Sequence, residues 1–182
     1  MLVLQYNLTR EDYFKYNYYT NWTSPDKRKF RNRYYMKVLL YLFVMAGLIL
    51  YTSQDKSPLI TMIAVILVAT TMLLLIPFLV RRSVRKRVDQ LLALPANKHI
   101  LDRREVQFSD TGIVSRDSNA ESKFGWNAVV KVAQLPDAWY LYSSSHQAII
   151  LPKRALADEQ ERKELQSLLD QHISFSAEFA NN

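Results

Sequence analysis

Val38–Val80, VLLYLFVMAGLILYTSQDKSPLITMIAVILVATTMLLLIPFLV, decides the architecture of this chain. Two apolar runs stand there, parted only by the polar stretch Thr52–Ser57. From Pro58 to Val80 no residue is charged. That run of about 23 residues exceeds the roughly 20 a helix needs to cross a hydrocarbon core about 30 Å thick. The first run, Val38–Ser53, is shorter. Extended back through Met36, Tyr35 and Tyr34 it reaches spanning length, with Lys37 drawing its ammonium to the interface and both tyrosines among the headgroups. Soluble core helices rarely carry uncharged runs of this length. The expectation is a transmembrane helical hairpin, spans 34–53 and 58–80, and not a cleaved signal peptide, because the first run starts far from Met1 and a second full span comes after it. So short a connection makes the two helices antiparallel neighbours.

The charges agree once divided by region. The net charge of +7 would by itself suggest nucleic acid. Yet Lys27, Arg28, Lys29, Arg31, Arg33 and Lys37 precede the first span, and Arg81, Arg82, Arg85, Lys86 and Arg87 follow the second. After Ala96 acidic residues outnumber basic ones. The positive excess therefore sits at the membrane edge, and no nucleic-acid partner is expected, since that needs a basic surface on the folded domain. Basic flanks stay cytoplasmic, and the connection carries only Asp55 and Lys56, so both termini are expected in the cytoplasm. Arg81 to Arg87 would lie on anionic headgroups, worth roughly 1 kcal/mol per basic residue. The chain has no cysteine, which removes disulfides and thiolate metal sites. Two sequons, at Asn7 and Asn21, read as chance for a cytoplasmic N-terminus.

The chain divides into three regions: 1–23, a strand with an aromatic juxtamembrane helix; 24–96, the hairpin with basic helical extensions; and 97–182, a cytoplasmic domain. Leu2, Leu4, Tyr6 and Leu8 alternate as in a half-buried strand, predicted to join the C-terminal sheet. Thr9 with Asp12 reads as a capping box for a helix from Glu11 to about Asn21. Its Tyr13, Phe14, Tyr16, Tyr18 and Tyr19, with Trp22, suit the bilayer interface or packing on the C-terminal domain, and the sequence leaves both open. Ser24-Pro25-Asp26 restarts a helix, with Ser24 as cap, leading into the first span, and Ser57-Pro58 repeats the device at the second. Pro77 is expected to bend the second helix. Val84, Val88, Leu91 and Leu92 carry one stripe on to Leu94, and Pro95 ends it. Ala46, Gly47, Ala64 and Ala69 allow self-association without requiring it. Neither these small residues nor Thr61, Thr70 and Thr71 inside the hairpin are ionisable, which argues against a self-contained transporter.

From Lys98 the pattern becomes short strands: Val106–Ser109 and Ile113–Ser115 around an Asp110-Thr111-Gly112 turn, then Ser122–Phe124, Trp126–Val132, Ala138–Tyr142 and Ala148–Leu151. Asp158 and Glu161 read as a capping box for a helix with Leu165, Leu168, Leu169 and Ile173 on one stripe. The fold class expected is an α+β membrane protein. Its hairpin precedes a small antiparallel β-barrel or sandwich, with one capping helix in a pleckstrin-homology-like arrangement.

The chain resembles the YcxB-like family of bacterial membrane proteins. The resemblance rests on Leu8, Thr9, Glu11, Asp12 and Tyr13; on Phe108-Ser109-Asp110-Thr111-Gly112-Ile113; on Trp126-Asn127-Ala128-Val129-Val130-Lys131-Val132; and on Trp139-Tyr140-Leu141-Tyr142 and Ile149-Ile150-Leu151-Pro152-Lys153-Arg154-Ala155. It implies an integral inner-membrane protein with a cytoplasmic pleckstrin-homology-like domain, and it carries no established activity.

No reaction is legible. His99, His146 and His172 lack metal-ligand spacing, and no nucleophile motif or glycine-rich phosphate loop occurs, so no enzyme, metal or cofactor is expected. The leading expectation is a membrane-anchored module that binds a protein partner, in one form by strand addition at an open sheet edge. Two alternatives remain: anionic headgroup recognition through Arg103, Arg104, Lys153 and Arg154, or an accessory role in a transporter. A headgroup pocket of the pleckstrin-homology kind draws on basic residues around the first hairpin. Asp110 on the hairpin read as first counts against headgroup specificity.

Overall fold

A computed structural model describes residues 1–52, 58–118, 120–156 and 158–173. The expected polar connection with Asp55 and Lys56, and Ser57 as cap of the second span, lie outside the described residues. The chain forms two compact units, Met1–Asn17 with Arg87–Asn182, and Tyr18–Lys86. The first unit is therefore discontinuous in sequence.

It begins with Leu2–Asn7 (β1), whose side chains alternate buried and exposed as predicted. Thr9 and Asp12 then bond reciprocally: Asp12 N donates to Thr9 Oγ1 at 3.1 Å, and Thr9 N donates to Asp12 Oδ2 at 2.7 Å. This capping box starts Arg10–Tyr18 (α1). Within the domain come Arg103–Ser109 (β2), Gly112–Arg116 (β3), Glu121–Phe124 (β4), Lys131–Gln134 (β5), Ala138–Tyr142 (β6) and Ala148–Pro152 (β7). They make two antiparallel sheets, ordered β1-β2-β3-β4 and β5-β6-β7. Leu2 pairs with Phe108 and Asn7 with Arg103, so the N-terminal strand joins the C-terminal sheet across the whole hairpin.

Two expectations are corrected. Among the described residues the strands do not close into a barrel, because no ladder links one sheet to the other. The predicted strand Trp126–Val132 starts with a 3-10 turn, Trp126–Ala128, and β5 begins only at Lys131. The indole is the cause: Trp126 is buried, donates Nε1 to Ser109 O at 2.9 Å, and stacks between Phe108 and His172. A strand would have turned alternate side chains away from that site. As expected, Asp110-Thr111 joins β2 to β3 as the first hairpin, since the connection from β1 runs through the two long helices. Gly112 after it has φ +146°, and a Cβ there would meet Phe124 O at 2.3 Å, so glycine is required for conformation and for space.

Glu159–His172 (the last helix) packs against β1 and β2 and buries Leu165, Leu168 and Leu169, as its stripe predicted. Asp158 caps it by accepting from Gln160 N, whereas Glu161 Oε2 is buried without a hydrogen-bond partner among the described residues, so the reciprocal half of that box is absent. The other sheet is covered by α1. Tyr16 packs edge-on against Tyr140 with ring centroids 5.3 Å apart and donates its hydroxyl to His146 O at 2.7 Å. Every residue of β6 is buried.

The second unit opens with a π-helical turn, Tyr19–Thr23, in place of the last turns of the predicted helix, and Ser24 N donates to Tyr19 O at 2.9 Å. Ser24 stands at the predicted cap position before Pro25, but its hydroxyl makes no cap bond. Its carbonyl instead accepts from Lys27 N and from Arg31 Nη1, each at 3.0 Å. Trp22 is buried and sits with Tyr34 at a ring-centroid distance of 5.7 Å. The two open readings of the aromatic segment therefore divide: Tyr16 belongs to the domain, and Trp22 to the base of the long helix.

That helix, Arg28–Thr52 (α2), has 25 residues, and Pro58–Ala93 (α3) has 36 and runs unbroken through Pro77. At 1.5 Å per residue they are about 38 Å and about 54 Å long, enough to cross a bilayer. Phe43 is 78% exposed and Leu67 67%, which soluble core helices do not tolerate. Among the described residues these are two helices long and apolar enough to span a membrane. Past Val80, α3 keeps its predicted stripe, with Val88 and Leu92 buried, and Pro95 starts a 3-10 segment, Pro95–Leu101.

Candidate functional site

The sequence proposed nine basic residues as contacts for headgroups or a partner, and the fold distributes them over four places. Arg81, Arg82, Arg85, Lys86 and Arg87 are exposed on α3 where its uncharged run ends. Arg154 lies in the 3-10 turn Lys153–Ala155 after β7 and points to the N-terminal segment. Its Nη1 donates to Asp12 Oδ1 at 2.8 Å, and its Nη2 donates to Asp12 Oδ2 and, at 3.0 Å, to Asn7 O. A planar guanidinium bound at both carboxylate oxygens is a fixed strut, not a mobile surface charge. Burial works to raise the Asp12 pKa, but the hydrogen bonds from Arg154 and Thr9 outweigh it and hold the carboxyl below its ordinary range. Lys153 is half-exposed, and its backbone N–H donates to Asp137 O at 2.9 Å. Lys15 of α1 bonds the Asp137 carboxylate, so the C-terminal end of β7 is tied to the first residues of the chain twice, through Arg154 and through Asp137. Tyr6 adds a buried bond, its hydroxyl donating to Ile150 O at 2.7 Å. Burial pushes the Tyr6 phenol far up, and the Arg104 charge only partly offsets this.

Arg103 and Arg104 are consecutive on β2 and therefore face opposite sides of the sheet. Arg103 joins a polar ladder on the outer face by donating to Gln5 Oε1. There Gln5 donates to Glu105 at 2.7 Å, and Arg116 bridges Glu105 at 3.3 Å and Glu121 at 2.7 Å. Registers Gln5↔Glu105, Glu105↔Arg116 and Arg116↔Glu121 place these groups in one transverse row, so each charge meets its opposite. This surface is internally neutralised.

Arg104 faces the other way, into a cleft of about 210 Å³ between β3–β4 and the β6–β7 connection. Asp117, Ser115, Ser122 and Gln147 share the lining, with Phe124 and Ile149 on its apolar side. The side chains of Arg104 and Asp117 are 18% and 17% exposed, and their charged atoms are 3.7 Å apart, too far for a hydrogen bond. Asp117 Oδ1 accepts from Ala120 N at 2.9 Å, which fixes the carboxylate in the turn leading to β4. Sequence reading found Arg104 but missed Ser115, Ser122, Asp117 and Gln147. Their meeting depends on the Ser115↔Ser122 register and on the approach of the second sheet, and neither has a local signal.

Residues 108–169 match the family model described as YcxB-like protein. Over these residues the chain is similar to that family. The YcxB-like segment starts inside β2 and ends inside the last helix, so it takes in the cleft's Ser115, Asp117, Ser122 and Gln147 but neither Arg104, nor β1, nor the two long helices. Neither the curated proteins nor the solved structures yield a match.

Proposed function

We propose that this chain is a membrane-anchored binding module, its YcxB-like domain held at the cytoplasmic face of a bacterial inner membrane by a two-helix hairpin and serving interaction or regulation, not catalysis. The pairing of β1 with β2 carries this reading. Strands hydrogen-bonded in one sheet lie on one side of a membrane, so the residues between them must cross an even number of times. Two helices of spanning length occupy that interval, and their basic outer flanks favour the cytoplasm for both termini. Four strands, three strands and a closing helix also support the pleckstrin-homology-like type. The protein partner would meet the exposed edge strand β4 by strand addition, where Lys123 is 74% exposed and each ladder of β4 among the described residues is to β3. Crosslinking in native membranes tests this by comparing the whole chain with one lacking residues 97–182. Specific membrane or cytoplasmic adducts should be lost with the domain; an unchanged adduct set refutes the reading.

Recognition of anionic headgroups by the domain is a second reading, favoured by Arg104. Unlike Arg154, whose guanidinium is bound to Asp12, and Arg103, which donates to Gln5, Arg104 faces a cleft without a hydrogen-bonded carboxylate among the described residues.

A further inference from the structure

We infer that the Arg104 cleft binds a phosphate-bearing polyol of headgroup size, with the phosphate on Arg104 and a ligand hydroxyl at Asp117. A guanidinium offers five donors in a planar fork that matches phosphate oxygens. At Arg104 the nearest carboxylate stands 3.7 Å away and is held in place by Ala120 N. The hydroxyls of Ser115 and Ser122, cross-strand neighbours on this face, and the side-chain amide of Gln147 make no protein hydrogen bond among the described residues. The two walls thus gather a cation and three neutral donors around a half-buried slot. The outer face of the same sheet differs, because there each arginine already meets a carboxylate or amide.

Size and charge narrow the ligand. A volume of about 210 Å³ is below the roughly 300 Å³ or more of drug-sized pockets. A glycerophosphate unit suits that space. Bare phosphate would bring its charge against the Asp117 carboxylate, whereas a hydroxyl next to the phosphate donates to it. Asp117 therefore selects a phosphate carrying a polyol, and Phe124 and Ile149 offer an apolar wall to its carbons. Such a group occurs free in solution and as the headgroup of phosphatidylglycerol. The lipid source rests on the headgroup reading above; the soluble source does not.

The test uses the full chain in phosphatidylcholine nanodiscs. Calorimetric titration with glycerol 3-phosphate, and separately with inorganic phosphate, reads the soluble source. Native mass spectrometry of chain released from mixed phosphatidylglycerol and phosphatidylcholine membranes reads the lipid source. Binding in either arm should weaken at least tenfold in Arg104→Gln and Ser122→Asp, less in Arg104→Lys, and inorganic phosphate should bind less tightly than glycerol 3-phosphate. Ser122 is exposed, so its variant keeps the fold and decides the matter if Arg104→Gln does not. No binding in either arm, or binding unchanged by Ser122→Asp, overturns the inference. Neither result depends on the crosslinked partner set.

Discussion

Removing the Arg154 guanidinium should loosen the N-terminal segment from the domain. In Arg154→Ala the chain loses two hydrogen bonds to Asp12 and one to Asn7 O. Hydrogen bonds to charged groups contribute about 1.5–3 kcal/mol when enclosed. Arg154 is 49% exposed, however, so solvent screening moves the pair towards the roughly 0.2–1 kcal/mol of surface bridges. The bond to the backbone carbonyl adds to that, giving about 1–2 kcal/mol in all and a fall in melting temperature of about 4–8 °C for a unit of this size. Asp12→Ala should cost more, because it also removes the capping box. The sign of the pH dependence comes from Asp12. Burial acting alone would raise its pKa, but the bonds from Arg154 and Thr9 set it below the unfolded value. The stabilisation is then complete above the ordinary carboxylate range and is lost as pH falls through the lower folded value. Melts of the full chain in detergent, monitored by near-ultraviolet circular dichroism, should show the gap between wild type and Arg154→Ala at pH 7 and its narrowing towards pH 3. Equal melting temperatures at pH 7, or single variants whose effects add within about 0.3 kcal/mol in the double variant, would refute the strut.

Two further outcomes are expected. Gly112→Ala puts a methyl 2.3 Å from the Phe124 carbonyl at φ +146°, and chemical denaturation should show a loss of about 2–4 kcal/mol; under about 1 kcal/mol would mean the turn relaxes freely. Because the chain has no native cysteine, single cysteines report topology directly: Ser118→Cys and Val3→Cys should react with an impermeant maleimide only after the cytoplasmic side is opened, and Lys56→Cys should react from outside. Opposite sidedness for Val3 and Ser118 would contradict the shared sheet.

Several elements were legible because their causes are local. The alternation of Leu2, Leu4 and Tyr6 marks a strand, Thr9 and Asp12 mark a helix start, and Gly112 marks a turn, each set within a few residues. Trp126 misled because a strand-like run says nothing of a carbonyl waiting for its indole, and Ser109 O is 17 residues earlier. Arg103 and Arg104 looked alike as charges, and only the pleat separates the neutralised face from the cleft. Arg154 was read as a surface cation because its carboxylate lies 142 residues away.

The sequence by itself determined the two long apolar helices, their basic flanks and the strand-rich character of the C-terminal region, since hydropathy, charge and turn chemistry act over short stretches of chain. Tertiary structure decided that residues 1–17 complete the domain built by the chain after the hairpin, that seven strands divide into two sheets, and that Arg104 meets Ser122 and Gln147. An unpaired strand edge accepts many partners through the same backbone groups. Which one it takes is fixed by the side chains buried when the whole unit closes.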